Sequence, residues 1–430
     1  MYIRYIEELT NYILLPSTYS NLNIYRIILN IGPFKKEVNI KIDNDLKDDV
    51  IGLSKDLKDW YYLPEDLIYE VIIKNRNIYI GPIIGILAST SKRNLNDDML
   101  NKLEKYYLDY DNILGLIYVC SSGCINKTNK TIEGYYFNKN KWIKGIFPYP
   151  GALFRRTGIS KYLYDDLVLT IGNNLFNSYF FDKWELWDYL SKDKNMRKYL
   201  PETKKLISFN DIEEMINKHK SVYLKRIDGF KARGIIKVEK INEKYKFIYR
   251  LKKEKILDIE STLLFINDLI KDNYLIQQAI NIKKYDNRIF DFRVIMQKNQ
   301  YKKWDCIGII ARFGAINSIA TNFLLEGYAL SGKEALMKVF KMNEKEAFIK
   351  LEEIKDVCLK ACSILDKTIG NYGDLGIDLI VDENKKIWIL EINKLHDQKY
   401  PIYSINDTEM YYKVITNPIK YVKALAGFEE

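Results

Sequence analysis

The sequence predicts a mixed α/β protein of the α+β kind, and three observations lead there. Short β-like runs separated by Asn, Asp and Gly fill residues 1–80, a strand, a helix and a strand follow from Gly81, and beyond residue 170 helices and strands alternate irregularly to the end. That pattern describes helices packed on sheets, with no fixed-period repeat. At roughly 150 residues per domain, 430 residues allow two to four domains. The text divides into a small β-rich segment (1–80), an α/β segment (81–170) and a large third region (171–430).

Composition narrows the class. Hydrophobic residues make up 47% and charged residues 29%, with only nine prolines, so a packed core is affordable and extended disorder is excluded. The longest apolar runs, such as 112–120, are too short for a membrane helix, and Glu7 and Glu8 stand where a signal peptide would be basic and then apolar. A cytoplasmic protein with no membrane partner is expected. Five cysteines, an odd number, argue for a reducing compartment. Cys358 and Cys362 lie on an apolar helical stripe, where packing explains them better than zinc. The net charge of +10 is scattered among acids, so a solvated surface is favoured over a nucleic-acid interface. With two histidines, His219 and His396, any chemistry must use carboxylates, Lys, Arg and amides.

The elements follow in order. Strands are expected at 24–29, 38–42, 67–73, 78–80, 83–88 and 113–119, with a helix at 99–107 and a Gly-, Pro- and aromatic-rich loop at 142–158. A helix over 211–219 is announced by Asn210 as its cap and Glu213 in capping-box position. In the strand 222–226, alternation places Val222 and Leu224 on one face and Tyr223 and Lys225 on the other, next to a turn running from Gly229 to Gly234 and a second strand at 235–238. A lysine beside a glycine-containing loop can bind phosphate, and a plain hairpin with a surface lysine fits the same residues.

The segment 376–393 reads as a β-hairpin turning at Asn384 and Lys385. That register sets Ile377 against Ile392, Leu379 against Leu390 and Val381 against Trp388 on an apolar face, and Asp378 against Glu391 on the other, with Asn393 pointing the same way. Two carboxylates ~5 Å apart repel by about 3 kcal/mol at an effective dielectric of 20. Mg2+ held by two carboxylates and an amide oxygen would offset this; so would a raised pKa, a neighbouring lysine or a slipped register. Asp291 and Arg293 share a face of the strand 290–297, and Arg312 closes a strand at 306–311. Two arginines near such a hairpin suit a transferring phosphoryl group, and each suits a structural ion pair.

Taken in order, Gly81-Pro82-Ile83-Ile84-Gly85-Ile86-Leu87, Phe154-Arg155-Arg156, Asn173-Asn174-Leu175-Phe176-Asn177, Phe181-Asp182-Lys183-Trp184, Leu200-Pro201-Glu202-Thr203, Asp291-Phe292-Arg293, Gly308-Ile309-Ile310-Ala311-Arg312, Thr321-Asn322 and Glu391-Ile392-Asn393 resemble the ATP-grasp enzymes, and among them the YheC/YheD-like endospore coat-associated family. The resemblance spans about residues 80–425. It implies an ATP-grasp fold of two α+β subdomains, about 171–279 and 280–430, behind a pre-ATP-grasp domain. It implies phosphate contacts from Lys183 and Lys225, a phosphate-covering loop bearing Gly229 and Gly234, and an adenine-reading hinge at Gln277, Gln278, Ala279 and Ile280. Arg293 and Arg312 match catalytic clamps, Asp378, Glu391 and Asn393 match Mg2+ ligands, and Asn322 matches a residue lining the cleft.

The implied activity is an ATP- and Mg2+-dependent carboxylate-amine ligase, ADP-forming, that works through an acyl phosphate and serves sporulation. Its unknown carboxylate and amine substrates include a peptide or coat protein as candidates, and its location is cytoplasmic or spore-coat associated. The alternative is a catalytically inactive structural protein of the spore coat that keeps the fold.

Overall fold

A computed structural model describes residues 1–59, 62–229, 234–249, 253–316, 318, 321 and 327–429. Four sheets organise them. The first has seven strands within Tyr2–Gly81. Three of its strands, Tyr2–Ile6, Tyr12–Pro16 and Val50–Ser54, escape the sequence reading.

The second sheet has six strands, with Ile83–Ser89 between Leu116–Asn126 and Ala152–Arg155. One apolar core, from Ile3 and Leu29 through Tyr118 to Leu175, is shared between the first and second sheets. The other face of the second sheet packs on the C-terminal helix Thr408–Leu425 through Ile415, Ile419 and Val422.

Local departures from expectation have local causes. The expected loop at 142–158 is instead two strands, Lys141–Pro148 and Ala152–Arg155; Lys141–Pro148 is an edge strand whose pairing with Thr131–Asn138 outweighs its loop-like composition. The helix expected over 99–107 is α-helical only at Asp97–Leu103 and tightens to a 3-10 turn after it. A helical turn at Tyr110–Ile113 delays the next strand to Leu116. The helix Phe209–His219 begins earlier than expected, because Ser208 and Asp211 form the capping box that Asn210 and Glu213 were expected to make.

The third sheet is antiparallel, in the order Thr203–Lys205, Tyr274–Gln278, Ser221–Arg226, Ile235–Ile241, Lys244–Tyr249 and Glu254–Leu257. Two amphipathic helices, Phe209–His219 and Ile259–Lys271, bury Ile212, Met215, Ile216 and Ile266 against it. The fourth sheet runs Tyr328–Ser331, Trp304–Phe313, Phe290–Lys298, Asp374–Val381 and Ile387–Asn393. Every residue of Asp374–Val381 is buried, as a central strand covered on both faces requires. The long helix Glu344–Thr368 lays Ile354, Cys358, Cys362 and Leu365 on one face of this sheet, so these cysteines are packing residues. All five cysteines are free thiols.

The hairpin corrects the predicted register. Three residues, Glu383 to Lys385, form the loop, with Lys385 left-handed at φ 63° and the Lys385 N–H donating to the Asp382 carbonyl. Leu379 therefore faces Ile389 and Val381 faces Ile387, where Leu390 and Trp388 were expected. An irregularity between Asp378 and Leu379 then absorbs the extra residue, and Asp378 faces Glu391 as predicted. The expected pair survives because the longer loop and the bulge cancel.

Candidate functional site

A cleft lies where the third and fourth sheets approach, lined by Lys183, Leu186, Trp187, Leu190, Leu200, Lys225, Leu275, Gln277, Ile389, Leu390 and Glu391. Four residues singled out from sequence meet there. Lys183 opens the helix Lys183–Ser191, whose start is fixed by a capping box between Asp182 and Glu185. Its ammonium donates to the Gly229 carbonyl and stands 3.8 Å from Glu391. Lys225 projects from its strand on the face opposite buried Val222 and Leu224 and donates to Gln277 Oε1 at 2.5 Å. Burial pushes the Lys225 ammonium down to about 8, with the Glu391 charge pulling the other way.

The apolar wall was missed from sequence. Leu186 and Leu190 recur four apart on their helix, which reads as ordinary core periodicity, and only the docking of that helix against the Ile387–Asn393 strand turns them toward a cleft. Of the four hinge residues, Gln277 alone lines the cleft. The N–H groups of Gln278 and Ala279 donate to the Glu202 and Ser221 carbonyls, and Ile280 lies beyond the end of the strand. Gly234 has φ 74°, a conformation that favours glycine, and any Cβ there would meet the Tyr274 hydroxyl at 2.9 Å. Asn322 lies outside the described residues.

Beside the cleft, sheet register assembles a charged quartet. Arg293 faces Asp378 and Asp291 faces Arg312 across neighbouring strands. Arg312 lies within the strand Trp304–Phe313, short of its end. Arg293 donates Nε and Nη2 to the two oxygens of Asp378 at 2.5 and 3.2 Å. Arg312 donates to Asp291 at 2.6 Å through Nε and also stands 3.1 Å from Asp378. Thr321 donates its hydroxyl to Asp291 at 2.5 Å. Both guanidiniums lie 6.0 Å from the Tyr400 ring.

Burial opposes the charges of Asp291, Arg312 and Asp378. For Asp378 the two guanidiniums outweigh it and hold the carboxyl at about 2, whereas burial raises Asp291. The repulsion expected between Asp378 and Glu391 is thus offset by arginine, a partner not weighed for it from sequence.

Whether these residues suit Mg2+ is decided by their donor atoms. Among the described residues no cluster of three His, Cys, Asp or Glu side chains could hold a metal, so a carboxylate-only cage is excluded. Two carboxylates with an amide oxygen remain a suitable hard-oxygen set, because Mg2+ keeps several waters and substrate phosphates as ligands. Asn393 donates Nδ2 to Asp378 at 3.2 Å; a carboxylate only accepts, so the amide oxygen faces the other way. Glu391 is the more open of the two carboxylates, with its side chain 40% exposed at the cleft against 12% for Asp378. The donor types suit the ion, with Asp378 also held by the arginines and Asn393 turned so that its amide hydrogen, not its oxygen, faces Asp378.

A second buried network was not foreseen. Asp374, on the strand that carries Asp378, accepts from Gln297, Arg156 and Gln398 at 2.8, 3.0 and 3.0 Å, and pairs with His396 Nε2 at 2.7 Å. Burial opposes its charge, but His396 and Arg156 hold the carboxyl at about 2. Arg156 belongs to the second sheet's side of the molecule, so this network fixes that sheet to the strand bearing the site.

Comparison with known proteins settles the family. A model of the YheC/D like ATP-grasp family matches residues 172–425, more than half of the chain. The chain belongs to the YheC/D-like ATP-grasp family. It is similar to the endospore coat-associated protein YheD of Bacillus subtilis strain 168, at 26% identity over 360 residues that cover 79% of this chain and 78% of that one. It is also similar to YheC of the same organism, at 25% identity over 222 residues, 51% of this chain and 60% of that one. Among solved structures, the ATP-grasp ligase PsnB complexed with a minimal precursor aligns at 11% identity and a TM-score of 0.48, covering 78% of this chain and 99% of that one. The D-Ala:D-Ser ligase VanG from Enterococcus faecalis aligns at 11% identity and a TM-score of 0.47, covering 79% and 98%. Membership of this family makes the fold the ATP-grasp fold, of α+β class.

Proposed function

We propose that this YheC/D-like protein is an ATP- and Mg2+-dependent carboxylate-amine ligase connected with the endospore coat, forming an amide through an acyl phosphate with release of ADP and phosphate. The observation that carries this reading is the convergence of Lys183, Lys225, Gln277 and Glu391, from one helix and three strands of two sheets, on one cleft. Asp378, Asn393, Arg293 and Arg312 stand on the face that continues from Glu391. In this reading Lys183 and Lys225 hold nucleotide phosphates, and Glu391, Asn393 and Asp378 hold Mg2+, which would neutralise phosphate charge. Arg293 and Arg312 stabilise the transferring phosphoryl group. A substrate carboxylate attacks the γ-phosphorus as ADP leaves, and an amine then displaces phosphate from the acyl carbon. Positioning and exclusion of water supply the catalysis, so no histidine base is needed.

The test is calorimetry of ATP or a non-hydrolysable analogue with and without Mg2+, with Glu391→Gln alongside. Mg2+-dependent binding that the variant loses supports the reading. A folded wild type that binds no nucleotide at millimolar concentration refutes it. The second reading, a coat protein without catalysis, is favoured by the Arg–Asp quartet, which satisfies its own charges without a ligand, and it predicts that second outcome.

A further inference from the structure

Arg155 ends the strand Ala152–Arg155 and is buried, with 5% of its surface exposed. Its Nε donates to the Thr157 carbonyl at 2.9 Å and its Nη1 to the Ser178 carbonyl at 2.5 Å, and the guanidinium lies 3.9 Å from the centre of the Phe180 ring. These contacts orient the group without neutralising it. Among the described residues no carboxylate pairs with Arg155, whereas Arg156, Arg293 and Arg312 each pair with an aspartate. Burial pushes the Arg155 guanidinium down to about 10, with only tyrosines acting to raise it. A buried cation without a counter-charge is costly, and a bound anion removes that cost.

A second cation, on a partly exposed residue, lies against the same ring. Lys394 directly follows Asn393, its ammonium is 5.9 Å from the centre of Phe180 and 4.4 Å from that of Phe181, and it donates to the Phe181 carbonyl. It too has no ion pair among the described residues. The charges of Glu391, Lys183, Asp182 and Glu185 act on it, which sets it near the cleft residues Glu391 and Lys183. The nucleotide phosphates already have Lys183 and Lys225 in the proposed reading. Arg155 and Lys394 are left for a different anion, and a planar carboxylate suits a guanidinium whose Nη2 has no protein partner.

We propose that Arg155 and Lys394, packed against Phe180, form the seat for a carboxylate of the ligated substrate. The assignment deepens the ligase reading and rests on it for the word substrate; the anion seat itself does not depend on nucleotide binding. Two sources share the chemistry, a small free dicarboxylate and an acidic side chain of a peptide.

The experiment is calorimetry on the full chain with glutarate, with an end-capped tetraglutamate peptide and with inorganic phosphate, for wild type, Arg155→Gln and Lys394→Gln. A carboxylate probe should bind wild type and weaken about tenfold or more in either variant, the size of one charged hydrogen bond. Mg2+-nucleotide binding should persist in Arg155→Gln. Glutarate binding as well as the peptide identifies a small substrate, and binding of the peptide alone identifies a peptide carboxylate. Equal affinities in wild type and variants, no carboxylate binding at millimolar concentration, or tighter binding of phosphate than of either carboxylate would overturn the assignment. If Arg155→Gln does not fold by circular dichroism, Lys394→Gln, at a partly exposed position, decides. Arg155-dependent carboxylate binding in a wild type that binds no nucleotide would sink the ligase reading and leave the anion seat standing.

Discussion

Asp378→Asn separates a structural role from a ligand role in one residue. The wild-type carboxylate takes two donors from Arg293, stands 3.1 Å from Arg312 and takes one donor from Asn393. The amide keeps one acceptor oxygen but removes the charge, leaving Arg293 buried and uncompensated. Breaking a buried pair on one side costs about 3–5 kcal/mol. A second route gives a similar size: a carboxyl held at about 2, against ~3.9 when unfolded, is worth ~2.6 kcal/mol at neutral pH. The sign is that of a depressed acid, so this stability is present above pH ~3.9 and is lost as pH falls toward 2.

At roughly 2–4 °C per kcal/mol for a unit of this size, Asp378→Asn should melt on the order of 6–20 °C below wild type at pH 7. The gap should shrink as pH falls toward 2. Urea denaturation followed by circular dichroism, in the absence of Mg2+ and nucleotide, measures it directly. A variant within about 1 kcal/mol of wild type would show that the arginines do not depend on this carboxylate, and the quartet would lose its structural meaning.

Glu391→Gln should behave in the opposite way. Its side chain is 40% exposed and its only ion pair among the described residues is at 3.8 Å, so the stability change should stay under about 1 kcal/mol by urea denaturation while Mg2+-dependent nucleotide binding is lost. Because the Lys225 ammonium sits at about 8, nucleotide affinity should fall as pH rises through 8, and Lys225→Arg should flatten that fall over pH 7–10 in calorimetric titrations. In Gly376→Ala, the new Cβ would stand 2.8 Å from His396 Cβ and 3.3 Å from Arg293 Cδ, so a loss of about 1–3 kcal/mol in thermal unfolding is expected.

What was legible in the sequence is what one strand or one hairpin can encode. Alternation with period two put Lys225 opposite Val222 and Leu224, and Asp291 with Arg293, because successive side chains on a strand point to opposite faces whatever the rest of the chain does. The Asp378–Glu391 pair was legible because its partners lie thirteen residues apart on one hairpin, although the loop length and the bulge that secure it were not. Capping drifted by two residues at Ser208, since Ser, Asn and Asp compete for that role and only packing chooses among them.

The tertiary structure decided the rest. Asp378 is held by Arg293 because two strands far apart in the chain share one register, and Asp291 by Arg312 because the adjoining strands Phe290–Lys298 and Trp304–Phe313 keep theirs across an irregularity, neither of which alternation within one strand specifies. The cleft exists because the helix Lys183–Ser191 and the strands carrying Lys225, Gln277 and Glu391 approach one another, and its Leu and Trp wall is indistinguishable in sequence from core. The uncompensated charge of Arg155 is likewise invisible in the motif Phe154-Arg155-Arg156. Arg155 ends its strand and Arg156 follows it, and only the fold gives Arg156 its aspartate while leaving Arg155 with carbonyls and a ring. Sequence fixes which face a residue takes, a local consequence of backbone geometry; partners, burial and charge balance come from long-range packing.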